Sequence, residues 1–133
     1  MKIIFVVRSL ARGGAELQLA LLCEGLLKRG ILVNVATFYA DDKISSDLRG
    51  KGINVIQLNK RGRWDFVSPI VNLFLLLRKS ENTILYSFMT SANIIALIIK
   101  LLKPNQKVLL GVRASNMADG QYDIFTRLTI WIE

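Results

Sequence analysis

Hydrophobic positions along this chain switch repeatedly between runs that are apolar throughout and runs with a 3.6-residue period. The opening run, KIIFVV over Lys2–Val7, is apolar on both faces and predicts a buried strand. Ala15–Arg29 follows with helical spacing, its apolar stripe drawn through Leu17, Ala20, Leu21, Leu27 and flanking leucines. Gly30 is the expected C-cap, and Lys28 and Arg29 before it suit the negative end of the helix. Further strands are predicted over Ile31–Phe38, Ile53–Leu58, Thr83–Phe88 and Lys107–Val112. Further helices are predicted over Ile44–Lys51, Phe66–Ser80, Ser91–Leu102 and Tyr122–Glu133. Gly52 ends the helix over Ile44–Lys51, Pro69 sits in the tolerated first turn of that over Phe66–Ser80, and Pro104 closes that over Ser91–Leu102. Strict β-α alternation predicts an α/β fold, a parallel sheet with helices on both faces. Ligands in such sheets bind beyond the carboxyl ends of the strands, where the strand order reverses. The candidate stretches are therefore Arg8–Glu16, Tyr39–Asp42, Asn59–Arg63, Phe88–Asn93 and Arg113–Asn116.

Composition narrows the chemistry. With 133 residues, 52% of them hydrophobic and only two prolines, the sequence supports one domain with a real core. No internal repeat or linker divides it. There is no histidine, which excludes a histidine base, a histidine metal ligand and a Ser-His-Asp triad. The single cysteine, Cys23, excludes an internal disulfide, fits a reducing compartment, and falls among leucines where a buried, inert thiol is expected. One cysteine and no histidine make no zinc site, and no metal or cofactor is expected. The formal charge of +8 implies an anionic partner: phosphate groups, nucleic acid or acidic lipid headgroups. The N-terminus opens on a strand rather than a signal peptide. The longest apolar runs, Ile70–Leu77 and Ile94–Ile99, fall short of the ~20 residues that span a bilayer. The expectation is a cytoplasmic protein that touches a membrane without crossing it. At its other end the sequence stops at Trp131-Ile132-Glu133, inside an apolar helical pattern without a cap. A domain that continues beyond it is expected.

Several constellations carry possible chemistry. After the first strand, Ser9-Leu10-Ala11-Arg12-Gly13-Gly14-Ala15-Glu16 lacks both G-x-G-x-x-G and G-K-[ST]. It reads either as a tight strand-to-helix turn or as a cradle in which helix-terminal N–H groups meet a phosphate or sugar. Arg113, just after a buried strand, is placed to pair with a diphosphate or an acceptor phosphate, with Ser115 and Asn116 beside it. Lys60, Arg61 and Arg63, followed by Trp64, form a basic loop suited to an anionic headgroup, a pyrophosphate-linked acceptor, or plain solvation. No nucleic-acid-binding module accompanies it. Met89, Thr90, Ser91 and Asn93 lie where the fourth helix begins, and could bond sugar hydroxyls or cap the helix.

These segments resemble the N-terminal domain of the retaining glycosyltransferases of family 4, with GT-B architecture. The features that carry it are the opening strand, the RGGAE loop, the helix ending Lys28-Arg29-Gly30 and the strand ending Ala36-Thr37-Phe38-Tyr39. Tyr86-Ser87-Phe88-Met89 with Ser91-Ala92-Asn93, and Gly111-Val112-Arg113-Ala114-Ser115-Asn116, add to it. The resemblance implies a Rossmann-like domain that holds the acceptor of a sugar transferred, with retention, from a nucleotide-diphosphate sugar. It implies a hexosyltransferase-type enzyme of surface polysaccharide or related glycan assembly, with a glycan or lipid-linked acceptor. Gly13, Gly14, Glu16 and Arg113 would face the donor diphosphate and sugar. Arg12, Lys60, Arg61, Arg63, Ser91, Asn93 and Asn116 would face the acceptor. A C-terminal domain with an E-x7-E motif would hold most of the nucleotide; the motif is absent here, so this half is expected to be inactive alone. Many family members also place a histidine in this half of the active site, and here that role is vacant or filled by another group. Two other readings stand beside this one. One is a non-catalytic half of a two-chain enzyme, the other a stand-alone nucleotide- or phosphate-binding protein of flavodoxin-like topology.

Overall fold

Five parallel strands form a single sheet in the order β3-β2-β1-β4-β5. The computed structural model describes residues 1–10, 14–39, 43–62 and 64–111. The strands are β1 (Lys2–Val7), β2 (Leu32–Thr37), β3 (Asn54–Gln57), β4 (Thr83–Phe88) and β5 (Lys107–Gly111). Between them run α1 (Gly14–Lys28), α2 (Lys43–Gly50), α3 (Val67–Arg78) and α4 (Thr90–Leu102). Each lies within a residue or two of its predicted bounds. The fifth helix expected over 122–133 lies outside the described residues.

β1 is central and hydrogen-bonded on both edges, Phe5 lying opposite Val35 on one side and Tyr86 on the other. Its side chains alternate between two cores, as strand geometry requires. Ile4 and Val6 face a layer built by Leu73 and Leu77 of α3 and Ile95, Ala96 and Ile99 of α4. Phe5 and Val7 face the opposite layer, with Leu19 and Cys23 of α1 and Ile44 and Leu48 of α2. A strand buried on both faces must be apolar at every position, which is why Ile3–Val7 shows no alternation.

The chain runs outward from β1 through β2 to β3, then returns by α3 to add β4 on the other side of β1. The order therefore reverses between β1 and β4. This is the order of the first five Rossmann strands and not the flavodoxin order, so the flavodoxin-like topology expected of the stand-alone alternative is not found. The crevice that such a reversal opens lies at the carboxyl ends of β1 and β4.

The helix ends follow local chemistry. Gly30 adopts φ 77°, and the Ile31 and Gly30 N–H groups donate to Leu26 and Leu27 carbonyls at 3.1 and 3.0 Å. Gly52, at φ 87°, closes α2 the same way. Both are Schellman ends, in which glycine takes the left-handed position at no Cβ cost. The stripe of α1, however, differs from the expected one. Leu17 and Leu21 are 52% and 68% exposed, whereas Leu19 and Cys23 are fully buried. Ala20 and Leu27 of the expected stripe do pack inward, together with Ala15, Leu22 and Leu26. The burial of Cys23 pushes its thiol up to about 12, so it stays protonated and unreactive at neutral pH.

Candidate functional site

The loops that leave β1, β2 and β3 are tied to one another at the carboxyl end of the sheet. Phe38 N–H donates to the Arg8 carbonyl at 3.1 Å, and Lys60 N–H donates to the Phe38 carbonyl at 2.9 Å. Thr37 adds a side-chain bond to the Tyr39 carbonyl at 3.0 Å. Asn59, between Leu58 and Lys60, takes φ 55°, a left-handed turn that asparagine tolerates better than most residues. These ties bring residues far apart in sequence around one pocket of about 180 Å³, lined by Arg8, Phe38, Tyr39, Lys60, Phe66 and Ser91.

The pocket is cationic and aromatic at once. The Lys60 ammonium sits 5.4 Å from the centroid of the Tyr39 ring and 5.3 Å from that of Phe66. The Arg8 guanidinium lies 5.8 Å from the Tyr39 centroid. Lys60 is further held by the Gly62 carbonyl at 2.8 Å and approaches the Tyr39 hydroxyl at 3.3 Å. Among the described residues no acidic side chain lines the pocket. Two cations oriented by ring faces suit an anionic group, and the rings themselves suit the apolar face of a sugar or an isoprenoid.

The fourth wall is the junction between β4 and α4, and it is held rigidly. Met89 takes φ 77° and ψ 164°, a region that side chains other than glycine rarely occupy. Its N–H donates to the Gly111 carbonyl at 3.2 Å, and its carbonyl receives the Asn93 N–H at 3.0 Å. The Ser87 hydroxyl donates to Asn93 Oδ1 at 2.5 Å, and Asn93 Nδ2 donates to the Gly111 carbonyl at 3.3 Å. Asn93 is 1% exposed, so its amide bonds within the frame, while Ser91 reaches the pocket. Gly111 has no room for a side chain: a Cβ there would meet the Ser87 carbonyl and the Tyr86 ring, each at 2.9 Å.

Arg61 stands outside this pocket. It lines two neighbouring hollows, one of about 420 Å³ shared with Tyr39, Gln57 and Lys60, the other of about 430 Å³ shared with Val67, Ser68 and Val71. Asp65 stiffens the same loop by accepting from the Arg61 N–H at 3.0 Å and the Ser68 N–H at 3.1 Å. Those bonds, the Arg61 N–H foremost, hold its carboxyl at about 2, so it is charged throughout the neutral range.

Of the residues expected at the donor, Gly14 opens α1 and Glu16 sits half-buried in its first turn, where a carboxylate suits the helix dipole. A Cβ at Gly14 would meet nothing within 4 Å among the described residues. Arg12, Gly13, Arg63, Arg113 and Asn116 lie outside the described residues. Arg8 and Tyr39 fall in the post-strand stretches that the sequence marks as candidates, without standing out in them, and Phe66 stands in the sequence only as the start of a helix. The usable signal was position: each stands at the carboxyl end of the sheet, and two of the three are aromatic. Among the described residues no group of side chains could hold a metal ion, and no helix is long and apolar enough to cross a membrane.

No protein-family model matches the sequence, and comparison with curated proteins finds no match. The solved structures that share the fold include two of one protein. One is HepE from Anabaena in complex with UDP, with a TM-score of 0.74 at 18% identity. The other is the same protein with UDP and glucose, with a TM-score of 0.73 at 18% identity. In both, the likeness covers 99% of this chain and 35% of that one, so this chain spans about a third of HepE.

Proposed function

We propose that this chain is the acceptor-side half of a GT-B glycosyltransferase that draws its sugar from a nucleotide-diphosphate donor. The observation that carries the proposal is the convergence of Arg8, Tyr39, Lys60, Phe66 and Ser91 at the reversal of strand order. The fold shared with a protein solved with UDP and glucose supports a nucleotide sugar as the donor. The finer reading is a family 4, hexosyl-transferring enzyme that retains configuration, works in surface polysaccharide or related glycan assembly, and acts at the cytoplasmic face of a membrane.

In this reading the acceptor enters the cationic pocket. Lys60 binds an anionic group of a glycan or lipid-linked acceptor, Tyr39 and Phe66 carry its apolar portion, and Ser91 bonds a hydroxyl. Arg61, with Arg12, Arg63 and Asn116, extends the acceptor surface, and Asn93 orients Ser91 by fixing the start of α4. The donor diphosphate approaches the N-terminus of α1, where Gly13 and Gly14 leave backbone N–H groups accessible, Glu16 meets the sugar and Arg113 adds charge. Catalysis then rests on positioning and on stabilising the departing diphosphate electrostatically. The nucleotide itself needs a second domain, so the chain alone binds the donor weakly and turns nothing over.

Titrations of the isotope-labelled chain, followed by amide shifts, test this. A short isoprenyl pyrophosphate-linked sugar is expected to move Tyr39, Lys60 and Ser91, and UDP-glucose to move little. Lys60→Met keeps the stem and removes the charge, and lowers affinity for the pyrophosphate probe by about tenfold, the scale of one charge-assisted hydrogen bond. Tight binding of UDP-glucose with no response to the acceptor probe would overturn the reading in favour of a stand-alone nucleotide-binding module.

A further inference from the structure

α3 is apolar nearly all the way round, and among the described residues only part of it is covered. Ile70, Leu73, Phe74, Leu76 and Leu77 pack into the sheet. Val67, Val71 and Leu75, spaced four residues apart on one face, stand 71%, 47% and 47% exposed. Trp64 precedes them by three residues and is 83% exposed. Helices that are apolar all round ordinarily lie buried, so this outer face calls for a cover.

The charge around the face says what kind of cover. Arg61 lines the same hollow of about 430 Å³ as Val67 and Val71, with Ser68, Asn59 and Asn72 supplying polar walls. Arg78 ends the helix and Lys79 follows it. α3 contains no acidic residue. The nearest acids are Glu81, three residues beyond Arg78, and Asp65 upstream, whose two oxygens receive backbone N–H groups from Arg61 and Ser68. The whole chain carries +8. A row of aliphatic side chains led by a tryptophan and collared by cations matches a surface that is apolar below and anionic above.

We propose that the outer face of α3 docks on an anionic lipid surface, with Val67, Val71 and Leu75 entering the acyl boundary and Arg61 holding a headgroup phosphate in the hollow beside them. The inference deepens the membrane placement given above by naming the surface and the lipid chemistry. It rests on that reading only for its purpose, since Phe66, beside Val67, also lines the cationic pocket. Docking by this face would bring Phe66, one wall of the pocket, close to a lipid-linked acceptor.

Vesicle binding is measured without donor or acceptor, so its outcome is separate from that of sugar transfer. Trp131→Phe leaves Trp64 as the only indole reporter. Vesicles of phosphatidylcholine with about 30% phosphatidylglycerol should sediment the chain and shift Trp64 emission to the blue, and vesicles of phosphatidylcholine alone should not. Arg61→Ala should lower partitioning by about fivefold, the effect of one basic residue near an anionic surface. Val71→Ser with Leu75→Ser should abolish the blue shift. Both substitutions are at exposed positions, and an unchanged thermal midpoint confirms the fold. Three outcomes would each overturn the proposal. They are absence of binding to anionic vesicles, binding that leaves Trp64 and these variants unaffected, and a dimer in solution that the Val71→Ser, Leu75→Ser variant dissolves.

Discussion

Gly111 shows how a single residue governs the frame of the candidate site. Its carbonyl holds both the Met89 N–H and the Asn93 amide, and its missing side chain lets β5 close against β4. The Ser87 carbonyl that a new Cβ would strike is strand backbone and cannot swing aside. Gly111→Ala should therefore destabilise the chain by about 1–3 kcal/mol, the range for overpacking a close contact. Chemical denaturation checks it, and a loss below about 0.5 kcal/mol would mean that β5 shifts freely. At this scale the sequence was only partly legible. Lys60 and Ser91 could be picked because each follows a strand and carries suitable chemistry. The inward turn of Asn93 could not, because its partner Gly111 lies 18 residues away and belongs to a different strand. Tyr39 gained its role only when Lys60 arrived over its ring from the far side of α2 and β3.

Elements were far more legible than their faces. Each described strand and helix matches its expected position because glycine stops, proline starts and apolar runs are local signals. The inward face of α1 was not local information. Leucine occupies positions 17, 19, 21, 22, 26 and 27, so several stripes fit a 3.6-residue period equally well. Packing against β1 and β2 selected the stripe through Leu19 and Cys23 and left Leu17 and Leu21 outside. The two leucines should respond very differently to truncation. Leu19→Ala opens a cavity in a closed core and should cost about 2–5 kcal/mol. Leu21→Ala, two residues away and 68% exposed, should change stability by less than about 0.5 kcal/mol. Equal losses in thermal or urea unfolding would show that the exposed leucines are covered in solution.

Across the whole molecule, stability and chemistry are distributed to opposite ends of the same strands. β1 is buried on both faces and paired on both edges, whereas β3 and β5 are the outer strands of the sheet among the described residues. The site sits beyond the carboxyl ends, on loops joined by a few single hydrogen bonds such as that from Lys60 N–H to the Phe38 carbonyl. Opening the centre of the sheet exposes both cores at once, while releasing a loop breaks one or two bonds. Native-state hydrogen exchange should therefore rank the chain. Amides of Ile4–Val7 should exchange only through global unfolding, those of β3 sooner, and those of Lys60 and Arg61 sooner still. An acceptor probe bound in the cationic pocket should slow Lys60 and Arg61 without altering Ile4–Val7, because the ligand joins loops whose supporting strands are already fixed. If Ile4–Val7 were slowed as well at saturating probe, binding would be coupled to folding of the entire sheet, and the pocket would not be preformed. A preformed pocket on a rigid sheet is what the proposed acceptor-binding role would need, since such a half must hold its substrate in register while the donor is brought to it.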